Sequence, residues 1–287
     1  MKLRRRSLSF LVTLIIALSV PLSRASISKA NQDELIFQRI ATFDVNGAAS
    51  EIVAATPDGL TLVYTNAVDK KVGFVDILNP AKPVEVATLA VNGEPTSVAI
   101  TRDGKWALVT VDAAAGSNDF LLVFAMSDRS LNATIPLGGQ PDSIAVSPTN
   151  RYAAIAIENE RDESLNSGRM PQGPAGFVTI VDLNGDPTQW TTRNVSLLGL
   201  SARFPTDPEP EFVDINAADQ AAVTLQENNH VVIIDLVSGT IINNWTAGTA
   251  THAADTVNDN NVNFVNSITN APREPDAIAW TPGGRLI

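Results

Sequence analysis

The sequence predicts an all-β fold, a β-propeller of four-stranded blades with a period near 45 residues. Three observations predict it. A ten-residue pattern, Pro95-Thr96-Ser97-Val98-Ala99-Ile100-Thr101-Arg102-Asp103-Gly104, returns at 50–59, 141–150, 210–219 and 275–284. The copies begin 45, 46, 69 and 65 residues apart. Each copy reads as a short apolar strand, a tight turn and the start of a second strand. A unit that recurs in this way cannot bury its apolar face alone and must stack on its copies. A sandwich, the other all-β solution, requires no fixed period.

The elements follow in order. In the first complete repeat, 50–56 is strand one, Pro57-Asp58-Gly59 the turn and 60–66 strand two. Strand three is 72–77 and strand four 84–91. Asp-Gly between alternating apolar runs is a strong hairpin signal, because Gly accepts the positive φ of a tight turn. The second repeat places strands at 95–101, 105–111, 120–126 and 133–137, and the third at 141–147, 151–157 and 177–183. The fourth has 210–216, 220–225, 231–236 and 240–245, and a fifth starts at Pro275. Residues 41–47 nearly repeat 87–93, the fourth strand of the first blade. Residues 36–45 are therefore expected to be the outer strand of a closing blade whose other strands lie beyond Ile287, in a longer protein. A propeller closed in this way has no exposed sheet edge.

The N-terminus has the grammar of a secretory signal peptide. Lys2, Arg4, Arg5 and Arg6 precede an apolar run over 8–22, and Ser23-Arg24-Ala25 offers a small-residue cleavage site. The run is short for a membrane span, so none is expected after cleavage. The expected domains are a signal peptide at 1–25, a lead at 26–38 and the propeller at 39–287, secreted or periplasmic. Residues 1–25 hold five of the 20 bases and no acid, leaving 15 bases against 31 acids, a formal charge of −16. That charge repels phosphates and excludes nucleic acid as a partner. There is no cysteine, hence no disulfide, thiolate metal site or cysteine nucleophile.

Strand two of the first repeat ends in Val63-Tyr64-Thr65-Asn66, and strand three closes on Phe74-Val75-Asp76. With the Pro-x-x-Val-Ala-Ile-x-x-Asp-Gly pattern, these residues resemble the YVTN-type β-propeller repeat over 39–287. The tetrapeptide is literal only in the first repeat; the other copies read Val109-Thr110-Val111-Asp112, Ala156-Ile157-Glu158-Asn159 and Thr224-Leu225-Gln226-Glu227. The resemblance implies the fold and leaves the activity open, because many functions sit on propellers.

Long insertions fall at 159–176, 197–209 and 247–274, all in loops that a propeller presents on one face. Such loops on a rigid scaffold are where binding sites concentrate. Acids recur at the same mouth. Glu209 and Glu274 precede strand one; Asp142, Glu211 and Asp276 hold its second position; Glu158 and Glu227 end strand two. Glu160 and Asp162 follow in the first insertion. Pseudo-rotation should bring these acids to one rim, and oxygen ligands suit a hard cation such as Ca²⁺. The bland alternative is a solvated acidic rim in ordinary ion pairs, with Arg161, Arg169 and Arg273 as partners or as contacts for a ligand.

The insertion and the stretch Arg273-Glu274-Pro275-Asp276-Ala277-Ile278-Ala279-Trp280 are similar to exported phytase-like, esterase-like propellers. That similarity implies a metal-dependent phosphoester hydrolase. The leading expectation is an exported propeller whose acidic, loop-built face binds a small ligand or an extracytoplasmic protein. No nucleophile elbow, Walker loop or dinucleotide fingerprint occurs. His230 and His252 lie apart in sequence, with no nucleophile beside either.

Overall fold

The computed structural model describes residues 38–45, 50–113, 119–159, 162, 164–170 and 172–287. The signal-peptide reading therefore lies outside the described residues. Among the described residues, no helix is long and apolar enough to cross a membrane.

Four antiparallel four-stranded sheets follow one another, each in simple up-and-down order. Blade one is β1 (Ser50–Ala55), β2 (Thr61–Asn66), β3 (Lys71–Asp76) and β4 (Val84–Ala90). Blade two is β5 (Glu94–Ile100), β6 (Trp106–Asp112), β7 (Phe120–Ala125) and β8 (Leu131–Pro136). Blade three is β9 (Pro141–Val146), β10 (Tyr152–Ile157), β11 (Phe177–Asp182) and β12 (Thr191–Ser196). Blade four is β13 (Pro210–Ile215), β14 (Gln220–Leu225), β15 (His230–Asp235) and β16 (Thr240–Thr246). The first strands β1, β5, β9 and β13 adjoin in succession, which places strand one of each blade innermost.

Turn chemistry explains the local hairpins. In blade two, the Gly104 N–H donates to Thr101 O, and φ at Gly104 is +69°. The Thr101 hydroxyl donates to Asp103, which also accepts the Lys105 N–H. Blade one repeats this device with Thr56, Asp58 and Gly59, and these bonds hold the Asp58 carboxyl below its usual range. Blades three and four meet the same positive φ with Asn150 and Asp219, two residue types that tolerate it. After strand three, Asp76, Asp182 and Asp235 each accept the backbone N–H two residues on. Blade two has Ala125 there and uses Asp128 instead, which accepts from Ser130.

Packing joins the blades face to face. Phe74 and Val63 of blade one meet Val98, Val109 and Phe124 of blade two. Leu108 and Leu121 meet Ile155 and Val181. Ile180 and Val195 meet Val223 and Ile234. Many of these side chains are fully buried, each contributing about 1.5–3 kcal/mol. On the far side of blade four, Ile278, Trp280 and Leu286 cover Ala222, Val231 and Ile233 as the next blade begins. The ring is not closed among the described residues: no core cluster joins blade one to blade four.

Three elements differ from expectation. Residues 41–45 form no strand; they lie against the outer face of blade one, with Phe43 on Tyr64 at 6.1 Å between ring centroids. A lone strand has no ladder to join, so its apolar side chains settle on the nearest uncovered sheet face. The insertion at 247–274 contains a two-stranded hairpin, β17 (Thr249–Ala254) with β18 (Asn266–Pro272). The fifth repeat is reduced to one bridge, Trp280 to Leu286.

Candidate functional site: an acidic mouth built on strand-one bulges

Strand one of each blade carries a register irregularity at its entrance: between Ser50 and Val53, Pro95 and Ser97, Pro141 and Ile144, and Pro210 and Val213. A bulge leaves a residue outside the ladder and re-aims its side chain. The second positions of the repeat, Glu51, Thr96, Asp142 and Glu211, all lie in these bulges. A threonine on strand two supports the irregular backbone. Thr65 Oγ1 accepts the Ile52 N–H, and Thr224 Oγ1 accepts the Phe212 N–H at 3.0 Å. Thr110 meets the Thr96 hydroxyl and donates to Ser97 O. The ladder thus aligns Thr65, Thr110 and Thr224 with Ala156. The tetrapeptide comparison sets the later blades one or two residues too late. The same register aligns Glu158 with Asp112 and Gln226, and places Glu227 one residue further on.

Hydroxyls at the bulges of blades two, three and four also tie each of them to the next blade. Ser97 Oγ accepts the Ile144 N–H, Ser143 donates to Glu211 O at 2.7 Å, and Thr224 donates to Asp276 O. The second positions of blades three, four and five are thereby held in a row. Their acids converge. Glu211 is half-buried, and its carboxyl is pushed up to about 7. Burial is the main cause; the charges of Asp142, Glu227 and Asp276 add to it, and a hydrogen bond with Glu158 opposes it. Five of the sequence-predicted acids therefore share one electrostatic site. Glu227 Oε2 is buried in it with no hydrogen-bond partner among the described residues. The arrangement favours a cation or a proton.

The remaining candidates sit elsewhere. Glu274 forms an ion pair with Arg203 at 3.0 Å. Glu209 is 3% exposed at the base of the second insertion, its N–H donating to Asn228 Oδ1. Asp162 is exposed and accepts the Ser164 N–H and hydroxyl in a local turn, which hold its carboxyl below the usual range. Arg169 and Arg273 are exposed. Glu160 and Arg161 lie outside the described residues. No group of three His, Asp or Glu side chains among the described residues has a metal-holding arrangement. His230 is buried and meets Asn244 Oδ1 at 3.0 Å.

The three insertions do meet on one face. The Gly176 N–H donates to Pro208 O, joining the first to the second. A Cβ at Gly176 would stand 2.2 Å from that oxygen, so only glycine permits the approach. Arg203, from the second insertion, joins the third through Glu274 and also donates to Glu227 O. Two adjacent asparagines at the β14–β15 turn hold the loops. Asn228 Nδ2 donates to the carbonyls of Arg203, Phe204 and Asp207. Asn229 Oδ1 accepts the N–H groups of Arg273 and Glu274, and its amide donates to Gly248 O. Sequence reasoning missed Arg203 and both asparagines. The one local signal was two short amides in a turn that stands between the second and third insertions.

Repeated blades with a loop-built mouth over the innermost strands define the β-propeller class. A family model described as the Choice-of-anchor I domain matches residues 51–284, and the chain belongs to that family. Among solved structures, the chain is similar to Kuenenia stuttgartiensis hydrazine synthase at 14% identity and a TM-score of 0.50, covering 82% of this chain and 78% of that one. It is similar to the β-propeller domain of Myceliophteria thermophila Cps50 (Swd1) at 14% identity and a TM-score of 0.55, covering 85% and 64%. A functionally unknown protein from Desulfotomaculum acetoxidans aligns at 15% identity and a TM-score of 0.51, covering 84% and 63%. The chain thus spans less than two thirds of the latter two. Identities this low show the fold alone. No curated protein matches the chain.

Proposed function

We propose that this chain is an extracytoplasmic β-propeller whose acidic, loop-built face binds a cationic ligand or a protein partner presenting a cationic group. The observation that carries this reading is the shared site of Asp142, Glu158, Glu211, Glu227 and Asp276, with Glu211 raised to about 7. Carboxylates gathered and partly buried in this way are relieved by a positive charge placed among them. The leader grammar of residues 1–25 and the anchor in the family's name support a secreted or periplasmic location.

Calcium is the simplest cation for all-oxygen donors. A calcium-dependent phosphoesterase on the same face is the second reading. It needs several carboxylates on one ion and an open position for substrate. Among the described residues the carboxylates form no such ligand set, whereas their mutual electrostatic contact already supports binding. Calcium titration at pH 8, read by melting temperature and by turnover of a chromogenic phosphoester, tests both. The binding reading expects a higher melting temperature with no turnover, and a weaker response in Glu211→Gln and Asp142→Asn. No thermal response to calcium would remove calcium from it. Turnover lost in Glu158→Ala and Asp276→Ala would replace it with the hydrolase.

A further inference from the structure

The three wedges between successive blades open outward between the outer strands, and two of them are filled. Between blades two and three, Trp190 enters from the β11–β12 loop, buried, with its Nε1 donating to Gly185 O at 3.3 Å. Its 3-10 turn, Pro187–Gln189, lies against β8. Between blades three and four, Arg193 crosses from β12 and donates from Nη2 to the carbonyls of Leu236 and Val237. Its guanidinium also lies over the Tyr152 ring.

Among the described residues, the wedge between blades one and two is open. It is a groove of about 630 Å³ whose lining includes Leu89, Val91, Phe120, Leu122, Leu131 and Arg129. That volume lies within the range of small-molecule sites, roughly 300–1,000 Å³. Arg129 comes from the β7–β8 loop, as Trp190 comes from the matching loop of blade three. Its guanidinium stands 5.8 Å from the Phe74 ring centroid. Its Nε is buried with no hydrogen-bond partner, and the side chain forms no ion pair among the described residues. A buried guanidinium nitrogen without an acceptor is costly, whereas a carboxylate can satisfy it with a charge-assisted bond. Thr88 and Thr134 add hydroxyls to the same lining.

We propose that this open wedge binds a small amphipathic carboxylate, its alkyl chain along the apolar lining and its carboxylate on Arg129. Charge selects the ligand: the groove is apolar and its one charged lining group is cationic, in a chain that is otherwise strongly acidic. The site lies at the outer edge of blades one and two, built from residues other than those of the acidic mouth.

Isothermal titration of the full chain with decanoate below its micelle concentration, and with decanol, tests the proposal. The expected result is one site per chain, with decanoate bound at least about tenfold tighter than decanol, the gain of one charge-assisted bond. Arg129→Gln should lose that tenfold preference. Leu131 is 53% exposed, so Leu131→Trp should fold normally and abolish binding by filling the groove as Trp190 fills its own. Melting curves of both variants without ligand check their folding. Equal affinity for decanoate and decanol, no binding of either, or decanoate binding unchanged in both variants would overturn the proposal.

Discussion

Glu211 gives the mouth a pH response of its own. Glu211 is raised from 4.5 to about 7, chiefly by burial. Between those values the folded state holds a proton that the unfolded chain has lost, so stability is greatest on the acid side and falls as pH rises toward 7. Glu211→Gln removes that loss. It should melt about 2 °C above the parent at pH 8 and match it near pH 5, a modest gain because solvent screens a half-exposed group. A parent melting temperature that does not fall between pH 5 and pH 8 would remove the raised carboxyl. Thr224 acts at the same scale on the backbone. Thr224→Val keeps the shape and strands the Phe212 N–H, so chemical denaturation should show a loss of about 1–3 kcal/mol. Sequence alone could not assign that role, because a threonine in a strand is ordinary β-former vocabulary until the bulge is seen.

At the scale of elements, the strands were legible and their irregularities were not. Alternating apolar residues and Asp-Gly turns placed β1 to β3 within one residue of their ends. The β17–β18 hairpin escaped because its strands are mostly exposed on both faces, and Thr249-Ala250-Thr251-His252 has no apolar alternation. Residues 41–45 have a strand-like sequence, but a strand is realised only where a ladder partner lies beside it, and here they settle on the face of blade one. The acids of the mouth were found by their repeat position, whereas the loop clamps depend on amides meeting carbonyls far along the chain. Asn228→Ala should release three carbonyls and one N–H of the second insertion together. We expect faster amide exchange across 199–209, unchanged exchange in β5 to β8, and a stability loss of about 1–3 kcal/mol. Slow exchange retained throughout 199–209 would show that the clamp is unimportant.

For the molecule as a whole, stability lies in the interfaces between blades, as in other stacked repeats. Ile155 is fully buried between blades two and three, while Val53, on the outer face of blade one, is 58% exposed. Ile155→Ala should cost about 2–5 kcal/mol by leaving a cavity, and Val53→Thr should change stability by less than about 0.5 kcal/mol. Urea melts of the two variants measure the difference, and similar losses would mean that Val53 is covered in solution.

The strand-one bulges also separate what the protein contacts from what keeps it folded. The second position of the repeat stands outside the regular ladder, and the adjoining backbone is secured by threonine or by the next blade. Its identity can therefore change at little cost to the scaffold. The five copies already differ, reading Glu51, Thr96, Asp142, Glu211 and Asp276. A binding face so constructed can be rewritten one blade at a time, and closely similar frameworks can carry mouths of quite different charge.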